Sequence, residues 1–133
     1  VETLGVPGVV LFDTDVLIDY GRGDPHAAAV LDAAHQDGIP AVSVIVHCEL
    51  LAGCRDKREQ GILDAFMAGF RCVHIDANIS GGALGLLRRY RLSHGLRLPD
   101  ALIAATALAH DWPLVTKNQK DYRFIEGLKL PPY

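Results

Sequence analysis

Four short apolar runs, VVLF (9–12), IPAV (39–42), CVHI (72–75) and WPLVT (112–116), recur along the chain with helix-forming stretches between them. Continuous apolar runs of this length suit strands buried on both faces, as in a parallel sheet covered by helices. Parallel neighbours cannot be joined by a tight turn and need a crossover of a dozen or more residues. The intervals between the runs supply such crossovers. The alternation therefore predicts an α/β fold: a three-layer α/β/α sandwich with a central, mainly parallel sheet. In such sheets ligands collect beyond the carboxyl ends of the strands, so Asp13 and the 116–121 loop are expected on one functional rim.

The helices announce their ends. Asp24-Pro25 supplies an N-cap and a first-turn proline for an alanine-rich helix running to Gln36 and stopped by Gly38. Ser43 can cap VIVHCELLAG, and after a charged turn a second helix is expected over 57–69. ALGLLRRYRLSH (83–94) ends at Gly95, and DALIAATALAH (100–110) opens with Asp100 at a capping position. TKNQKDYRF is read as a polar loop or short helix and LKL (128–130) as a last edge strand. Residues 1–133 are expected to form a single domain around one core, with 1–7 flexible and without an assigned role.

Composition removes several classes. No apolar run approaches the roughly 18 residues of a membrane span, and the N-terminus lacks the pattern of a signal peptide, so a cytoplasmic protein without membrane association is expected. The three cysteines are odd in number and show no C-x-x-C spacing, which argues against a disulfide framework or a zinc site and for buried free thiols. The six histidines show no H-x-x-x-H pair, with His47 read as a packing or surface residue, and the G-x-S-x-G elbow of a serine hydrolase is missing. A net charge of −3 does not advertise a nucleic-acid binder. It leaves the distribution of charge open.

Three acids stand in apolar company: Asp13 at the end of a strand, Glu49 inside VIVHCELLAG, and Asp100 between LRLP and ALIAATALA. Taken singly, they could be a turn aspartate, an exposed helix residue and an N-cap. A desolvated carboxylate costs several kcal/mol unless it is paired, hydrogen-bonded, neutralised or bound to metal. No Lys or Arg adjoins these segments closely, and several acids at one rim would raise one another's pKa values. A divalent cation resolves the conflict, and an all-carboxylate set points to Mg²⁺ or Mn²⁺.

The blocks LFDTDVLID (11–19), SVIVHCELLAG (43–53) and LPDALIAATALAHDWPLVTKNQKDY (98–122) resemble the signature blocks of PIN domains, particularly the VapC-type toxin ribonucleases of toxin–antitoxin pairs. The resemblance implies a metal site of Asp13, Glu49, Asp100 and Asp121, supported by hydrogen bonds from Thr14, Thr116 and Asn118. Asp15 stands where most relatives carry Asn, and its role is left open. The implied activity is Mg²⁺- or Mn²⁺-dependent endoribonucleolytic hydrolysis that leaves a 5′-phosphate and a 3′-hydroxyl, with an attacking water activated at the metal.

Four acids repel a phosphate backbone, so basic residues must guide RNA: Lys117, Lys120 and Arg123 beside the fourth acid, and Arg88, Arg89, Arg91 and Arg97 after the third strand. The family also implies a small VapB-like antitoxin as partner and a homodimer. The apolar face of 44–51 together with Leu63, Phe66 and Phe70 is the candidate groove for the antitoxin. Two rivals stand beside this reading. FDTDVL resembles the D-x-D motif of haloacid dehalogenase-type phosphohydrolases, with Asp13 as nucleophile and Asp15 as acid/base; the other rival is a catalytically inactive PIN-like module that binds RNA or protein.

Overall fold

The computed structural model describes residues 8–133, so the expectation of flexibility for residues 1–7 lies outside the described residues. Four strands form one parallel sheet in the order β3-β2-β1-β4: β1 Gly8–Phe12, β2 Gly38–Ser43, β3 Arg71–Val73 and β4 Leu114–Val115. Six helices flank it: α1 Thr14–Gly21, α2 Pro25–Asp37, α3 Val44–Ala52, α4 Lys57–Met67, α5 Ala77–His94 and α6 Leu98–His110. This is the expected α/β architecture. None of the described helices is long and apolar enough to cross a membrane.

Chain order and strand order diverge at one place. The chain lays down β1, β2 and β3 outward in one direction, then returns across the sheet through α5 and α6 to place β4 on the far side of β1. The gap beyond the carboxyl ends of β1 and β4 is therefore the topological switch point, where crossovers leave in opposite directions and a crevice opens. Leu11, Phe12, Ala41, Val42 and Leu114 lie at or near zero exposure beneath it, against Val16, Val46, Ala101 and Ile103. The rim residues thus stand on a packed base.

Several boundaries differ from expectation. Helix α1 was not expected at all; Asp13 caps it, accepting a hydrogen bond from Thr14 N–H at 2.8 Å. Helix α5 starts at Ala77 because Asp76 accepts from Ile79 N–H, six residues ahead of the expected 83. Residues 128–130 form no strand; Lys129 contributes a single carbonyl, accepting from Leu114 N–H at 2.9 Å. The cysteines are not buried: Cys48 and Cys72 are exposed and Cys54 is intermediate, since Cys48 lies on the outer face of α3 and Cys72 on the edge strand β3. Pro40 is tolerated in β2 because β3 begins only opposite Ala41, so at Pro40 the strand pairs with β1 alone.

Two glycines make opposite predictions. A Cβ at Gly38, paired with Gly8 at the start of β2, would press into the Gly8 carbonyl. Gly61, within α4, has open space around it. Gly38→Ala is expected to lower stability by roughly 1–3 kcal/mol, and Gly61→Ala to raise it by roughly 0.5–1 kcal/mol. Thermal melts of the two variants check the pair.

Candidate active site

Asp13 is positioned by the end of β1. Its N–H continues the ladder to Val115 O at 3.0 Å, and its side chain is 8% exposed. One carboxylate oxygen caps α1, and the other lies 2.9 Å from Thr116 Oγ1, which is fully buried at the end of β4. Asp15 Oδ2 gathers the chain after β4, accepting from Lys117 N–H at 3.1 Å and Asn118 N–H at 3.0 Å, with Thr116 Oγ1 at 3.3 Å. Asn118 thus supports the site through its backbone. Asp15 Oδ1 is buried and has no hydrogen-bond partner among the described residues.

The remaining acids approach from α3, α6 and the 3₁₀ turn Gln119–Asp121. Glu49 is exposed on α3 and accepts from Thr14 Oγ1 at 2.8 Å, which ties α3 to the start of α1. Asp100 is not the N-cap of α6. Arg97 occupies that position without a side-chain cap, the helix begins at Leu98 with a proline in its first turn, and Asp100 lies one step further in. Its carboxylate instead accepts from Tyr122 Oη at 3.1 Å. Asp121 is exposed and ends the 3₁₀ turn.

Tyr122 is a residue whose role sequence reasoning missed. At 1% exposure it is a core side chain with its hydroxyl among the acids. Burial, with the charges of Asp13 and Asp100, pushes its phenol far above the ordinary tyrosine range, so it remains a donor. The only sequence signal was an aromatic residue following Asp121. Asp19 was missed as well: it binds Lys117 Nζ at 3.0 Å and draws that cation toward α1.

Electrostatics connects the acids. Burial, then the charge of Asp15, raises the Asp13 carboxyl from 3.8 to about 6 against the opposing hydrogen bonds of Thr116 and Thr14. Burial also raises Asp15. Asp100 is raised chiefly by burial, with Tyr122 and Arg97 opposing and the charges of Asp121 and Glu49 adding to the rise. None of Asp13, Glu49, Asp100 and Asp121 has a Lys or Arg salt-bridge partner among the described residues.

The four acids make an open arc and not a cage: among the described residues no three acidic, histidine or cysteine groups converge to enclose an ion. An ion of the Mg²⁺ type keeps several waters and uses one or two carboxylates. Hard oxygen donors, among them Asp13 and Asp100 whose carboxyls are raised chiefly by burial, with the orphaned buried Asp15 Oδ1 beside them, fit such a cation.

The basic candidates separate. Arg88, Arg91 and Arg97 line one groove, whereas Arg89 pairs with Glu126 at 3.1 Å and lines a different hollow with Gly82 and Gly85. Lys120 and Arg123 are exposed close in sequence to Asp121, with no ion-pair partner among the described residues. His47 lies 3.4 Å from Asp64, as befits a packing or surface histidine.

Residues 10–126 of this small parallel-sheet fold match the PIN domain, and the chain belongs to that family. Within it, the chain is 38% identical to Ribonuclease VapC19 of Mycobacterium tuberculosis over 125 residues, covering 92% of this chain and 98% of that protein. It is also 38% identical to Ribonuclease VapC10 of the same organism over 124 residues, covering 92% of each chain. Among solved structures it resembles a chain of a toxin-antitoxin complex from Klebsiella pneumoniae, with a TM-score of 0.79, 32% identity, and coverage of 93% of this chain and 98% of that one. It further resembles a chain of VapBC2 from Rickettsia felis, solved bound to a promoter DNA fragment, with a TM-score of 0.80, 26% identity, and coverage of 94% and 98%.

The Asp13 shift yields a pH prediction. A carboxyl that binds its proton more tightly in the folded state adds stability that is fully present below pH 3.8 and lost as pH rises through about 6. In metal-free buffer Asp13→Asn is expected to remove this decline and raise neutral-pH stability by on the order of 3 kcal/mol. Denaturation of wild type and variant across that window checks it, and parallel pH profiles would contradict it.

Proposed function

We propose that this chain is a divalent-metal-dependent endoribonuclease of the VapC type, the toxin half of a toxin–antitoxin pair. The observation that carries the reading is the set of partly desolvated acids at the β1/β4 switch point, held by neutral hydroxyls and backbone N–H groups instead of by cations. The match to the PIN domain and the similarity to the VapC ribonucleases support it.

Asp13 and Asp100 would hold Mg²⁺ or Mn²⁺, with Glu49 and Asp121 at the exposed ends of the arc. The ion, when bound, supplies charge stabilisation at the phosphate and acidifies water. The chain's own residues set orientation. Thr116 and the Thr14 N–H fix both oxygens of Asp13, Tyr122 holds Asp100 by donating its proton, and Thr14 holds Glu49 facing the arc. Glu49, exposed and bound to Thr14 through one oxygen, or Asp121 would orient the attacking water or complete a second metal site. In-line attack would leave a 5′-phosphate and a 3′-hydroxyl.

The rival readings lose ground here. As the acid/base of a phosphohydrolase, Asp15 would need a free carboxylate, but one oxygen is spent on the 116–118 turn and the other is buried. An inactive module has no need of four acids kept without cationic partners.

The antitoxin half of the proposal rests on a second surface. An apolar pocket of about 370 Å³ lies between α1, α3 and α4, lined by Leu17, Tyr20, Leu50, Ile62, Leu63 and Phe66 among others. Tyr20 and Phe66 stack with ring centroids 5.2 Å apart, and Ile62 is 57% exposed. An apolar partner helix fits such a groove. Phe70, expected to line it, is instead 8% exposed and packs edge-on to Phe12 in the core. The unexpected helix α1 supplies the third wall. A homodimer remains part of the proposal.

Asp13→Asn and Asp100→Asn are each expected to reduce Mg²⁺-dependent cleavage of RNA by roughly 10²-fold or more, and Glu49→Gln to reduce it strongly while Glu59→Gln does little. Gel analysis of cleavage products from folded variants checks this; near wild-type cleavage by either aspartate variant would refute the metal-site assignment. Ile62→Asp is expected to leave cleavage intact and abolish inhibition by a co-expressed antitoxin, scored by growth arrest. Continued neutralisation would remove this groove as the antitoxin site.

A further inference from the structure

Asp13 and Asp100, the pair that would hold the ion, are restrained unequally. Asp13 Oδ1 accepts from Thr14 N–H at 2.8 Å and its Oδ2 from Thr116 Oγ1 at 2.9 Å, so the backbone and a fully buried hydroxyl both fix it. Asp100 has one hydrogen-bonded restraint among the described residues, Tyr122 Oη, which donates to its Oδ1 at 3.1 Å. Tyr122 reaches it from inside the core and is the largest of the fully buried side chains. Close packing leaves such a ring little freedom to follow a moving carboxylate. Its hydroxyl also lies near enough to Asp13 to oppose, as a hydrogen-bond donor, the burial that raises that carboxyl. One phenol therefore stands between the two aspartates and sets where Asp100 lies relative to Asp13.

The same bonds limit what the acids can offer an ion. Asp100 keeps a single oxygen, Oδ2, without a protein partner among the described residues, Glu49 likewise has one oxygen taken by Thr14, and Asp13 has both engaged. An engaged oxygen retains a lone pair for an ion or its water, but its direction is fixed. Mg²⁺ is small, demands near-octahedral geometry, and uses one or two carboxylates while keeping several waters; Ca²⁺ takes roughly six to eight oxygens in flexible geometry, often two from one carboxylate. Carboxylates pinned through one oxygen suit the first ion and poorly serve the second. Glu49 and Asp121 are exposed and can adjust to a larger ion, so the restraint that decides falls on Asp100.

We infer that Tyr122 is a positioning residue that makes this site discriminate by cation size: by pinning Asp100 through one oxygen, at a fixed place relative to Asp13, it favours Mg²⁺ and Mn²⁺ over Ca²⁺. The inference rests on the metal-dependent reading of the site and adds the group that selects the ion.

The test reads metal binding on the full chain without RNA. Free Mn²⁺ is counted by electron paramagnetic resonance, and Mg²⁺ or Ca²⁺ is titrated in to displace it. Wild type is expected to release Mn²⁺ to Mg²⁺ at lower concentration than to Ca²⁺. Tyr122→Phe removes one oxygen and keeps the ring. It is expected to weaken Mn²⁺ and Mg²⁺ roughly tenfold, as loss of a ligand's orienting hydrogen bond does, and Ca²⁺ by less than about threefold, so the ratio of Mg²⁺ to Ca²⁺ affinity falls. Tyr90→Phe removes another buried hydroxyl, one that accepts from Glu126 N–H at 3.2 Å and serves no site acid, and is expected to leave that ratio unchanged. Melting in EDTA confirms folding; should Tyr122→Phe fail to fold, Asp100→Glu, whose extra methylene carries the carboxylate past the fixed phenol, is expected to lose the same discrimination.

Unchanged affinities in Tyr122→Phe overturn the inference, as does an equal loss for all three ions, which would make the hydroxyl a support without selectivity. A wild type that prefers Ca²⁺ overturns it too. The two proposals fail differently. Wild type that binds none of the three ions sinks the metal-dependent reading and the inference with it, whereas wild type that binds Mn²⁺ and cleaves RNA, beside a Tyr122→Phe variant with full discrimination, sinks only the role of Tyr122.

Discussion

One hydroxyl oxygen, Thr116 Oγ1, lies between two carboxylates, 2.9 Å from Asp13 Oδ2 and 3.3 Å from Asp15 Oδ2. The attachment of β4 to the sheet depends on this neighbourhood. The strand pairs with β1 through only two positions, Leu11↔Leu114 and Phe12↔Val115. Beyond them the ladder is continued by side chains: Asp13 takes the Thr116 hydroxyl, and Asp15 takes the N–H groups of Lys117 and Asn118. The carboxylates are therefore structural before they are chemical. They fix the loop that carries Asp121 and Tyr122 over the switch point.

That arrangement has an electrostatic consequence. Hydroxyls and amides satisfy the geometry of a carboxylate without cancelling its charge, so Asp13, Asp15 and Asp100 stay desolvated and their protons are held more tightly than usual. An arginine in place of Thr116 or Tyr122 would have settled the charge and closed the site to any other cation. Tyr122 does the opposite. Its phenol, kept protonated by the same burial and charges, orients Asp100 and leaves the negative charge on the arc. The acids are held by hydrogen bonds and left without cationic partners among the described residues, the condition on which the proposed metal binding rests.

The parts legible in the sequence were those set by local signals. Apolar runs marked all four strands, and Asp24-Pro25, Ser43 and Gly95 marked helix ends that the structure places at or within a residue of the expected positions. The acids were legible because a carboxylate in apolar surroundings demands a reason. Helix α1 was hidden because its eight residues follow the β1 run without a break, and the capping residue was already claimed as a site acid. Asp100 was misread as a cap because the helix already begins two residues earlier, with Leu98 and Pro99. The partners of Asp15 and the role of Tyr122 involve residues about a hundred and about twenty positions away, and no local pattern encodes such contacts. Cys48 and Cys72 were expected to be buried free thiols because their number and spacing suit neither disulfides nor zinc, but an edge strand and the outer face of a helix leave them outside.

The formal charge of −3 hides the feature that would matter for the proposed RNA substrate. Acids lie at the switch point, and Arg88, Arg91 and Arg97 line the α5–α6 groove, Arg97 standing three residues before Asp100. Lys117 and Arg89 contribute less than their charges suggest, because Asp19 and Glu126 bind them at 3.0 and 3.1 Å. Opposite signs placed side by side give direction that a uniformly basic face would lack. On the proposed ribonuclease reading, a phosphate chain would be attracted to the arginines and repelled from the acids until a bound divalent cation reversed the sign there. Binding and chemistry would then be separable steps, the first governed by ionic strength and the second by the proposed metal.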